Sequence, residues 1–157
     1  MITLAQLNTK FNTHAATAGA KRCTFGFLED HAARPEARDM TDLYPTINVV
    51  PFENIKEGLE ARKDNDEVIV ENVNVITFYQ FNRDMFTTLD LSLAGRCAAW
   101  DSAKAIHVAF IEAVGGDSNI QVLNNNYNIE LLPEGIVADN VIAVRTNDLE
   151  LKLTCSV

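Results

Sequence analysis

The chain has 157 residues, of which 47% are hydrophobic and 22% charged, and it carries a formal net charge of -9. That composition belongs to a single globular domain, 1–157, which can bury roughly two thirds of its unfolded surface without a metal or disulfide staple. The acid excess argues against a nucleic-acid binder held by phosphate contacts, a mode that needs a lysine and arginine patch. Only Lys21-Arg22 and Arg62-Lys63 are adjacent basic pairs.

The first element is a helix over about residues 3 to 18. In Thr3-Leu4-Ala5-Gln6 the threonine can cap and the glutamine can reach back, with Ile2 and Leu7 as the staple. Leu4, Leu7, Phe11, Ala15 and Ala18 repeat at helical spacing, and Gly19 supplies the stop. A short strand, Arg22 to Leu28, precedes EDHAARPEARDMTD, an exposed loop without a usable period. Tyr44-Pro45 then leads extended chain into TINVVPF, where Pro51 ends the run or marks a sheet edge. The charged stretch ENIKEGLEARKDNDE, 53–67, reads as a solvated loop or hairpin tip.

VIVENVNVITFYQFN, 68–82, is the most informative strand. Val68 and Val70 occupy even positions, whereas Val73, Val75, Tyr79 and Phe81 occupy odd ones, with Ile76 and Phe78 opposite them. The change of phase near Glu71 to Val73 predicts a bulge. About 15 residues at ~3.3 Å each reach roughly 50 Å, against ~40 Å for a compact domain of this length. A strand so long, with apolar residues on both sides, is expected to project and to need cover for its second face.

A second helical region spans about Thr87 to Val114. Leu93, Cys97, Trp100, Ala103, His107, Phe110 or Ile111, and Val114 form its stripe. Gly95 leaves open whether it is one helix or two, and Gly115-Gly116 ends it through glycine's ease at positive φ. Alternating strands close the chain: Ile120 and Val122, Ile129 and Leu131, Val141 and Ala143, then Leu149, Leu151, Leu153 and Cys155. Asn124-Asn125-Asn126, Pro133-Glu134-Gly135 and Asn147-Asp148 are their turns. The order predicts an α+β fold: a mainly antiparallel sheet packed by an N-terminal helix and a longer central helix, with a projecting long strand or hairpin.

Chemical motifs are sparse. His14, Cys23 and His31 lack the rhythm of a zinc site, so no metal ligand or cofactor is expected. Cys23, Cys97 and Cys155 form no CxxC pair and read as reduced, buried small hydrophobes. His107 reads as a hydrogen-bonded core or interface histidine rather than a base. The GGDSN stretch at 115–119 follows a helix and reads as a turn, not a phosphate loop. Glu134 with Glu150-Leu151-Lys152 has the outline of a magnesium-dependent nuclease core, yet Glu150 and Lys152 are also simply the polar side of an alternating strand. No apolar run reaches the ~18 residues of a membrane span, and MITLAQLNTKFN lacks the order of a secretion signal.

Taken in order, LAQLNTKFN, YPTINVVP, the VNVITFYQFNRDM strand, the small-residue-rich AGRCAAWDSAKAIHVAFIEAV and the closing LELKLTC resemble the tail-completion or tail-terminator proteins of bacteriophage head-to-tail junctions. The resemblance implies a non-enzymatic virion structural protein, assembled in the host cytoplasm as a homo-oligomeric ring, often a hexamer. Such a ring contacts tail-tube and neck proteins, lets DNA pass through its acidic channel without gripping it, and touches no membrane. Ile76, Phe78, Tyr79 and Phe81 are then the expected subunit interface, with the 53–67 segment reaching a neighbour. A small cellular adaptor module and the metal-dependent nuclease are the alternatives.

Overall fold

The computed structural model describes residues 4–25, 44–50, 67–80, 89–124, 127–132 and 141–154. The elements are α1 (Leu4–Thr17), β1 (Arg22–Phe25), β2 (Thr46–Val50), β3 (Glu67–Gln80), α2 (Leu89–Gly115), β4 (Ile120–Val122), β5 (Glu130–Leu132) and β6 (Val141–Thr154). They make an α+β fold with two helices and one mixed six-stranded sheet in the order β1-β2-β3-β6-β4, with β5 also on β6. Among the described strands only β1 and β2 run parallel; the other pairings are antiparallel.

Helix α1 follows its sequence signals closely. Leu7, Phe11 and Ala15 are buried. Its end is a Schellman turn: Gly19 sits at φ 96°, its amide donates to Ala16, and the Ala20 amide donates to Ala15. Thr3 and Ile2, the expected cap and half of the staple, lie outside the described residues.

Helix α2 runs through Gly95 without a break, as one helix of 27 residues. Ala99, Ala103, His107, Phe110, Ile111 and Val114 are buried along it. Cys97 is exposed, which corrects its expected burial. The reason is angular: the buried row runs back from Ala103 to Ala99, and Cys97 lies about 200° further round the helix. The helix ends at Gly115, yet neither Gly115 nor Gly116 takes a positive φ. Instead the Gly116 amide donates to Glu112 and the Asp117 amide to Val114, which tightens the last turn.

Strands β3 and β6 have 14 residues each and pair from Glu67↔Thr154 to Gln80↔Val141. Two register shifts interrupt them. Glu71 and Asn72 together face Glu150, and just beyond, Asn147 and Asp148 together face Asn74. The first is the bulge predicted near Glu71 to Val73. The second replaces the turn expected at Asn147-Asp148, because β6 continues through it, with Asp148 in the left-handed region at φ 61°. Each strand gains one residue, so the ladder resumes in step. The helix-facing positions on β6 change from Ile142, Val144 and Thr146 to Leu149, Leu151 and Leu153.

The sheet's helix face carries the main core. Leu7, Phe11 and Ala15 of α1 and Phe110, Ile111 and Val114 of α2 pack on Ile47, Val49, Val73, Val75, Leu149 and Leu151. The Phe11 and Phe110 rings meet at 6.0 Å and 57°. On the opposite face Ile76 (5% exposed) and Phe78 (0%) join Tyr44, Val141 and Ala143 in a second buried cluster, flanked by Leu132.

The long strand expected from the sequence is present as β3 and is paired along its whole length. β3 does not extend past its own domain alone, because an equally long β6 runs beside it throughout. On its second side Ile76 and Phe78 are buried within the chain.

Candidate functional site

Three of the four expected interface residues fall among the described residues. Ile76 and Phe78 lie in the second-face cluster. Tyr79 points the other way, half-buried beside Ala99, Ala103, Ile142 and Val144 under α2. Phe81 lies outside the described residues, as do the 53–66 stretch, Glu134 and Cys155. Alternation along β3 thus sends neighbouring residues into two different cores of one molecule.

The buried polar groups around α2 gather in two places; a further pair, Thr46 and Asn48, lies on β2, where Asn48 Oδ1 accepts from Thr24 Oγ1 at 2.8 Å. His107, on the sheet-facing row of α2, is fully buried between the two long strands. Its Nδ1 lies 2.9 Å from Thr77 Oγ1 on β3, and its Nε2 lies 2.7 Å from Thr146 Oγ1 on β6. A neutral imidazole has one N–H and one bare nitrogen, and a hydroxyl can serve either, so both ring positions are satisfied. Burial lowers the His107 pKa to about 4. The ring is therefore uncharged at neutral pH, and the reading of a hydrogen-bonded core histidine holds.

The second place is Asp117, just after α2. Its Oδ1 accepts from Lys10 Nζ at 3.1 Å and from the Asn119 amide at 2.8 Å. Its Oδ2 lies 2.7 Å from His14 Nε2 and 3.1 Å from Lys10 Nζ. Burial pushes this carboxyl upward, but the Asn119 amide, the His14 ring and the Lys10 ammonium outweigh it and hold the pKa below its ordinary value. Asn119 in turn donates from Nδ2 to the Thr154 carbonyl and accepts the Thr154 amide. The cluster ties α1 to the α2–β4 turn and to the end of β6.

The GGDSN stretch does more than turn the chain, because it brings Asp117 against α1. The available signal was Lys10 and His14 one helical turn apart on α1, a pair suited to a carboxylate. Nothing local identified which carboxylate, since the partners are 107 and 103 residues apart.

The other chemical candidates dissolve into structure. Glu150 and Lys152 alternate with buried Leu149, Leu151 and Leu153 on β6. The Glu150 amide donates to Asn124 Oδ1. Arg145 binds Glu130 across β5–β6 at the surface. Among the described residues no three His, Cys, Asp or Glu side chains converge as metal ligands, and no helix is long and apolar enough to cross a membrane. Cys23 is buried, and burial pushes its thiol up to about 12, which makes it a poor nucleophile. A cavity of about 10 Å³ lies between α1, α2 and the sheet, lined by Phe11, Val75, Phe110 and Leu149 among other apolar residues. Its apolar lining offers a water no polar partner.

No protein-family model, curated protein or solved structure matches the chain.

Proposed function

We propose that this chain is a non-enzymatic structural subunit, assembling as a ring at the tail–neck junction of a bacteriophage or phage-like particle. The observation that carries the reading is the arrangement of the segments that bear the resemblance. LAQLNTKF lies in α1, VNVITFYQ in β3, the AGRCAAWDSAKAIHVAFIEAV stretch in α2, and LELKLT in β6, all on one α+β domain. The buried titratable groups support a role without catalysis. Both nitrogens of His107 and both oxygens of Asp117 are engaged within the fold, which leaves neither placed to exchange a proton with a substrate. The net charge of -9 supports DNA transit rather than DNA capture.

Enclosure of Ile76 and Phe78 moves the ring seam away from the face of β3. It also gives the cellular adaptor reading its one favouring observation, since a chain that covers both sheet faces itself does not depend on a copy. Light scattering and negative-stain microscopy of the purified chain, alone and with tail tubes, test the proposal. Discrete rings in either condition are expected. Dispersed monomers at high concentration in both conditions contradict it and leave the adaptor.

A further inference from the structure

We propose that His107 is an acid-sensing latch: it holds α2 onto the two long strands while its ring is uncharged and releases the helix when the ring takes a second proton. The inference does not rest on the tail–neck reading. It rests on position, because this one side chain joins the middle of α2 to both β3 and β6 through Thr77 and Thr146, each itself fully buried.

Among the described residues the surroundings offer a cation no counter-ion, although both hydroxyls can turn to accept from the ring. On β3 the neighbouring helix-face positions are Val75 and Tyr79, and on β6 they are Val144 and Leu149. Along α2 the ring's buried neighbours are Ala103, Phe110 and Ile111, while Lys104 is exposed. From α1, Phe11 packs on Phe110, whereas Lys10 and His14 turn to Asp117. Tyr79 is thus the titratable group at the neighbouring positions, and among the described residues no carboxylate bonds to the ring.

A neutral ring needs one donor and one acceptor, which two hydroxyls supply. A protonated ring carries two N–H donors and a net charge in an apolar layer, and a buried charge without a counter-ion is strongly disfavoured. Water can reach the ring only if α2 lifts from β3 and β6. That motion uncovers Ala103, Ile142 and Val144, so proton uptake is coupled to exposure of the apolar helix face of the sheet.

The full-length chain and His107→Gln are compared by near-UV circular dichroism and by binding of an apolar dye between pH 7 and about pH 3.5. Glutamine offers one donor and one acceptor to the same hydroxyls and has no proton to take. The native protein is expected to lose its tertiary signal and bind dye as pH falls from 6.5 toward about 4, and H107Q to keep its signal to about one pH unit lower. Identical midpoints in two chains that are both folded at pH 7 overturn the latch. If H107Q is not folded at pH 7, the native ring is followed by NMR instead. Ring protonation and loss of tertiary dispersion are then expected in one transition, and a ring that titrates in a still-folded chain overturns the proposal.

Discussion

Asp117 holds four hydrogen bonds on a side chain only 8% exposed. Asp117→Asn removes the charge that Lys10 and His14 face and forces an amide N–H toward one of these donors. Urea unfolding at pH 7 is expected to show a loss of about 1–3 kcal/mol. Because the folded-state pKa of this carboxyl is lowered, its contribution is complete above its ordinary value of 3.8 and disappears as pH falls through the lowered one. The gap between native and D117N stabilities therefore closes only in strong acid. His107 works in a higher window. Its folded pKa is also lowered, from 6.5 to about 4, so the stability it allows is complete above 6.5 and declines toward 4. The total is roughly 3 kcal/mol. The cysteines divide the same way by environment. A maleimide is expected to modify exposed Cys97 promptly and to reach Cys23 only when the chain unfolds, as peptide mass mapping would read.

At the scale of elements, what was legible in the sequence was what is local. Gly19 stops α1 because a left-handed residue there satisfies the last carbonyls, and a shift from even to odd positions in β3 can only mean an extra residue. Cys97 misled because a stripe read at spacings of three and four tolerates a one-residue slip at its end. The Asn147-Asp148 bulge was read as a turn because both features use the same residue types. The outer edge of β6 carries another device that the sequence hid. β4 and β5 pair with the same side of β6, opposite residues 151–153 and 143–145, so they form one strand interrupted where β6 bulges. Asn124 fills the interruption, donating from Nδ2 to the Asp148 carbonyl and accepting the Glu150 amide at Oδ1. A side-chain amide stands in for the missing ladder, and the broken edge is a poor template for an added strand. Asn124→Ala is expected to cost about 1–2 kcal/mol. Hydrogen exchange should speed up most at the Glu150 amide, whose acceptor is removed; unchanged protection there would show that Asn124 is dispensable.

For the whole molecule, the decisive fact is that described residues on both faces of the long-strand pair are buried within one chain. The helices cover Val73, Val75 and Thr77, while Tyr44, Val141 and Ala143 enclose Ile76 and Phe78 on the reverse. Sequence alone measured the strand and then found no neighbours for its second side, because those neighbours, Val141 and Ala143 of β6 and Tyr44 before β2, lie far off along the chain. The α+β class and the two helices survive that omission, since they depend on local period. The burial of Ile76 and Phe78 was not legible in the same way, since exposure is a property of the assembled sheet. The sharpest test is chemical denaturation of Phe78→Ala, compared with the native chain at two widely separated protein concentrations. A core phenylalanine predicts a loss of about 3–5 kcal/mol that is the same at both concentrations. A loss that changes with concentration, or none at all, would mean that Phe78 is buried by a second molecule and would contradict the account.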